Sequence, residues 1–62
     1  MAQIYHIVGE DINDDIIEFD FEGTIEDARI ECDKILGFAG GGHLDIMIIT
    51  DSEDIFVEDI EW

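Results

Sequence analysis

Eighteen Asp and Glu against only Arg29 and Lys34 constrain this chain more than any other feature, because a 62-residue fold cannot bury that much charge. The carboxylates have to form the surface. Yet 47% of the chain is hydrophobic, with Ile at thirteen positions, and a disordered acidic tail lacks such aliphatics. The two facts together predict one folded domain, residues 1–62, with a small aliphatic core inside an almost wholly anionic shell. A surface of this kind repels nucleic acid, membranes and acidic substrates, and is drawn to basic grooves.

The size sets further bounds. A chain this short buries only about 60% of the surface it exposes when unfolded, which leaves little room for a deep pocket beside the core. Cys32 is the only cysteine, so no intrachain disulfide can form, and a reducing, cytoplasmic setting is expected. Met1 to Val8 has no basic segment of the signal-peptide type. The longest apolar run, Ile46-Met47-Ile48-Ile49, is far too short to span a bilayer. Repulsion among the carboxylates weakens the compact state, so added salt or mildly acidic pH is expected to stabilise it.

Ala2 to Val8 is rich in β-formers and predicts a strand, followed by turn residues from Gly9 to Asp14. Asp15 to Glu22 alternates, with Ile17, Phe19 and Phe21 on one face and Glu18, Asp20 and Glu22 on the other, the period-2 signature of a half-buried strand. Thr24 is a good helix N-cap, with Glu26 and Asp27 suited to the first turn. Ile25, Ala28, Cys32, Ile35 and Leu36 recur at helical spacing and predict an apolar face. Arg29 is placed to pair with Glu26 and Lys34 with Glu31. The helix is expected to stop near Gly37, with Gly40-Gly41-Gly42 as a flexible connector. Leu44 to Thr50 reads as a third strand, apolar enough to be covered on both faces. Ile55 to Trp62 reads as a fourth, with Phe56, Ile60 and Trp62 inward and Glu58 interrupting them.

The predicted fold is therefore α+β, in the order ββαββ, with one helix packed on one face of a four-stranded sheet. In element order and length it resembles a β-grasp layout, that of the immunoglobulin-binding domain of protein G. No residue motif accompanies that likeness, so no function carries over with it.

The acidic stripe is the leading candidate site. Glu18, Asp20 and Glu22 repeat at about 6.6 Å along one strand face, comparable to the step between successive phosphates on a nucleic-acid strand. Asp14 and Asp15 extend the row, and Glu58, Asp59 and Glu61 supply a second. The near absence of Lys and Arg sets this apart from an ordinary solvated face, where both signs mix. Glu26, Asp27 and Glu31 on the helix are a secondary surface.

In size and composition the chain resembles the phage-encoded acidic DNA-mimic inhibitors, a class that includes anti-CRISPR and anti-restriction proteins. That resemblance implies a stoichiometric inhibitor that occupies the basic nucleic-acid-binding site of a bacterial defence complex, foremost a CRISPR effector complex. It implies no direct contact with nucleic acid and no enzyme activity. The expected location is the cytoplasm of the bacterial host. The competing readings are an acidic protein-interaction module unrelated to nucleic-acid mimicry and a small halophilic domain. A monomer is expected over a homodimer, because like surfaces repel.

Other constellations weigh less. Asp11, Asn13, Asp15 and Glu22 match EF-hand loop positions, but Ile16 stands where the glycine is required and the flanks read as strands. His6, His43 and Cys32 lack zinc spacing. Cys32 is expected to be a buried, inert thiol, His43 exposed and His6 structural. The Gly37–Gly42 segment follows a helix and lacks the Lys and Ser/Thr of a phosphate loop. No catalytic residue, metal site or cofactor is expected.

Overall fold

The computed structural model describes residues 3–62. Five elements follow in the order β1 (Gln3–Asp11), β2 (Ile16–Gly23), α1 (Ile25–Ala39), β3 (Gly42–Ile49) and β4 (Asp54–Glu61). The strands form one sheet in the order β2-β1-β3-β4, every neighbouring pair antiparallel. The fold is α+β with a ββαββ layout, as the pattern of the chain predicts. β2 and β3 both run antiparallel to β1, so α1 crosses over between two strands of the same direction. The second hairpin enters with β3 beside β1. A β-grasp sheet instead sets the last strand beside the first, so the likeness to that layout stays at element order and helix placement.

One face of the sheet lies under α1. Ile17, Phe19 and Phe21 of β2 face inward, opposite Gly9, Ile7 and Tyr5 of β1, which in turn oppose Leu44, Ile46 and Ile48 of β3. From the helix, Ala28, Cys32 and Leu36 close the core without exposed surface. Ile25 and Ile35 pack at its margin. Burial pushes the Cys32 thiol up to about 11, which leaves it protonated and unreactive at neutral pH.

The helix opens as predicted: Thr24 Oγ1 accepts a hydrogen bond from the Asp27 amide at 3.2 Å. It continues past Gly37 to Ala39, two residues beyond the expected stop. The Trp62 ring lies over Gly37, where a Cβ would sit 3.2 Å from the indole. Gly40 ends the helix in the left-handed region at φ 93°, and the Gly40 and Gly41 amides both donate to the Leu36 carbonyl. The expected flexible connector is a tight turn. Gly42 already pairs with Asp11 at a φ of 134°, and a Cβ there would collide with the Glu10 carbonyl and the Asp11 backbone.

Gly9 to Asp11, predicted as turn, continue β1, because β3 supplies partners for all three in Leu44, His43 and Gly42. The Ala2 end of the predicted first strand lies outside the described residues. The turn itself is closed by Asp11, whose carboxylate accepts from the Asn13 and Asp15 amides at 2.8 and 3.1 Å. Asp14 takes a left-handed φ of 65°.

β4 departs furthest from its expected pattern. A register shift between Ile46 and Met47 pairs Ile46 with Glu58 and Met47 with Phe56, and leaves Val57 as the extra residue of a bulge. Ile60 faces inward as predicted. Phe56, predicted inward, is instead on the open face and 61% exposed. Trp62, also predicted inward, lies against the helix end, its ring nitrogen donating to Asp33 at 3.2 Å.

Candidate functional site

The pleat decides which side chains share the uncovered face of the sheet. With Tyr5 and Ile7 inward, Ile4, His6, Val8 and Glu10 of β1 point outward. Their partners on β2 are Glu22, Asp20, Glu18 and Ile16. On β3 the same face carries His43, Asp45, Met47 and Ile49, whose β4 partners are Glu61, Asp59, Phe56 and Asp54. The continuous coverage expected for β3 therefore holds on one side only: nothing among the described residues packs over its outer face.

This arrangement places Glu18, Asp20 and Glu22 along one sheet edge and Asp59 and Glu61 along the other. The two edges stand roughly 14 Å apart, three strand spacings of about 4.8 Å. Asp45 and Glu10 add carboxylates between them. The predicted rows thus meet on one surface, with two corrections. Ile16, 78% exposed, interrupts the row where Asp14 and Asp15 were to extend it. Those two residues belong to the hairpin turn, where the Asp15 amide is held by Asp11.

Glu58 lies on the opposite face of β4 from Asp59 and Glu61. It turns toward the helix and takes a two-pronged ion pair from Arg29, with Nε and a terminal nitrogen at 2.7 and 2.6 Å from its two carboxylate oxygens. Arg29 therefore pairs across the fold with Glu58, in place of the Glu26 pairing expected within the helix. The guanidinium holds the Glu58 carboxyl below its ordinary range. Lys34 pairs with Glu31 at 3.8 Å, as the helical spacing predicts. The helix thus carries both Lys and Arg of the chain, and the open sheet face carries neither.

Crowding of like charge leaves its mark there. Asp45 and Asp59 are direct cross-strand partners. Partial burial, then the adjoining Asp59 carboxylate, raise Asp45 above the ordinary carboxylate range. Glu61 is raised in the same direction by its contact with Asp59. These groups hold a proton more readily than isolated carboxylates.

His6, expected to be structural, sits inside the face, with partners that the sequence alone did not show. Nδ1 lies 2.8 Å from Asp20 Oδ1 and Nε2 lies 3.2 Å from Glu18 Oε2. Both ring nitrogens donate only in the imidazolium form, and the hydrogen bond to Asp20 is the largest cause of a raised His6 pKa. The signal was present in the register, since His6 stands directly opposite Asp20. It becomes readable only when the pairing of the two strands is known. His43 is exposed beside Glu61, as expected.

The face is not uniformly polar. Ile4, Ile49 and Phe56 are 54%, 54% and 61% exposed within it, next to half-buried Met47 and Val8. The EF-hand positions are separated: Asp11, Asn13 and Asp15 lie at the hairpin turn, whereas Glu22 pairs with Ile4 near the other end of β2. No helix among the described residues is long and apolar enough to cross a membrane. Comparisons with protein-family models, curated proteins and solved structures find no match to this chain.

Proposed function

We propose that this chain is a stoichiometric inhibitor whose open sheet face stands in for nucleic acid in the basic site of a bacterial defence complex, foremost a CRISPR effector complex. It acts by occupancy in the host cytoplasm, as a monomer and without catalysis. One observation carries the reading: both Lys and Arg are drawn to the helix, and the opposite surface is left with carboxylates along both edges of the sheet. The separation of those edges, roughly 14 Å, is on the scale of the DNA major groove, about 12 Å. Arg and Lys that normally hold phosphates would find carboxylates that accept the same charge-assisted hydrogen bonds. Electrostatic steering would make the encounter fast and salt-sensitive.

The exposed Phe56, Ile4 and Ile49 favour a second reading, an acidic interaction module for a basic protein unrelated to nucleic acid, because a phosphate backbone has no such side chains. Competition separates the two. Tagged chain is used to capture partners from bacterial lysates containing defence systems, and the bound fraction is challenged with DNA and guide-like RNA. Release of a nucleic-acid-binding complex by the competitor supports mimicry. A captured basic protein that ignores both competitors supports the module.

A further inference from the structure

Where the apolar part of the open face meets its acidic edge, the surface dips into a shallow, open depression of about 450 Å³ lined by Gln3, Ile4, His6, Asp20 and Ile49. Its makeup is mixed in an informative way. Ile4 and Ile49 supply apolar walls, each about half exposed. Asp20 supplies a carboxylate whose side chain is 68% exposed and whose Oδ1 is already held by His6. The remaining carboxylate oxygen is free of hydrogen-bond partners within the described residues. Glu22 follows on the same strand face.

We infer that this depression receives a single arginine side chain of the partner, its stem between Ile4 and Ile49 and its guanidinium on Asp20. The inference rests on the reading of the open face as the binding surface and names one contact on it. An arginine stem is apolar and covers aliphatic surface while its head stays polar. The guanidinium is planar, more weakly hydrated than an ammonium, and presents paired N–H donors that fit a carboxylate. A lysine would bring a compact, strongly hydrated charge, and would lose more hydration against Ile4 and Ile49. A purely aliphatic or aromatic anchor would leave Asp20 without gain, and an anionic one would be repelled. A few contacts carry most of the energy of an interface, and arginine is among the residues enriched in them.

The test uses two blocked pentapeptides of equal charge, one with arginine at the centre between glycines and lysine ends, the other with lysine at the centre. Each is titrated into the isotopically labelled chain at low salt and followed by NMR. The arginine peptide is expected to shift Ile4, His6, Asp20 and Ile49 selectively and to bind more tightly than its twin. Asp20→Asn should weaken it roughly three- to tenfold, the loss of one charge-assisted contact, while Glu26→Gln on the helix leaves it unchanged. Ile49→Ser should erase the preference for arginine without altering binding of the lysine peptide. Equal affinity of the two peptides, with shifts spread over the open face, overturns the arginine pocket and leaves the acidic face standing. If neither peptide perturbs the open face, the reading of that face as a binding surface falls as well.

Discussion

At the scale of single residues, His6 shows how a surface this acidic is made tolerable. Its imidazole lies between Asp20 and Glu18 and ties β1 to β2 through charge of opposite sign. Those contacts raise its pKa above the ordinary 6.5, so folding favours the protonated ring. The stabilisation is complete below 6.5 and is lost as pH rises through the folded value. Asp45 and Glu61 act in the same direction at lower pH, because raised carboxyl pKa values also favour the folded state when protons are abundant. Glu58, lowered by Arg29, opposes them: its contribution is present above its ordinary value and fades as pH falls through the folded one. The melting temperature of the chain is therefore expected to fall between about pH 6 and about pH 8, where histidine titrates. His6→Gln should flatten that slope. An equal slope in the variant would remove His6 from the account.

At the scale of elements, the helix depends on its ends and on what lies against it. Thr24→Ala deletes the N-cap and should cost about 1 kcal/mol in a denaturant melt. Leu36→Ala opens a cavity at the centre of the core and should cost about 2–5 kcal/mol, a large share of the roughly 3–9 kcal/mol expected for a domain of this length. These elements were legible in the chain for a physical reason. Ile17, Phe19 and Phe21 alternate with carboxylates that cannot be buried, so β2 has only one possible orientation, and the Thr24 cap and the apolar helix face are local signals. What escaped depended on partners distant in sequence. Gly9 to Asp11 have turn chemistry and become strand because β3 pairs with them. Phe56 has the parity of Ile60 and faces the other way because the bulge at Val57 shifts the register. Gly37 looks like a stop, but the left-handed cap that ends the helix is Gly40, and Trp62 from the far end of the chain lies over Gly37. Arg29 has a carboxylate within helical reach at Glu26 and takes Glu58 across the fold. The candidate site divides along the same line: the β2 row was legible, whereas its union with Asp59 and Glu61, the loss of Glu58 to the helix side and the His6 clamp all follow from sheet register.

At the scale of the whole molecule, a formal charge of −16 on 62 residues is carried by a slab about 33 × 21 × 15 Å, small enough that neighbouring carboxylates on its surfaces repel one another within a Debye length. Raising salt from physiological strength to about 1 M shortens the Debye length from about 8 to about 3 Å, and the melting temperature should rise with it. A melting temperature that falls with salt would show that ion pairs such as Arg29–Glu58 outweigh the repulsion. The division of charge carries the proposed function: both Lys and Arg lie on the helix side, and the open sheet holds its carboxylates with no Lys or Arg among them. The direct measurement compares two variants of matched charge change, Glu18→Lys/Asp20→Lys/Asp59→Lys on the open face and Glu26→Lys/Asp27→Lys/Asp33→Lys on the helix. Each is titrated, beside the unaltered chain, against labelled nucleic acid held by a CRISPR effector complex that the unaltered chain captures. The open face as mimic predicts that the unaltered chain and the helix variant displace the nucleic acid and that the open-face variant does not. Displacement by the open-face variant, with loss in the helix variant, would contradict it and move the binding surface to the other side of the molecule.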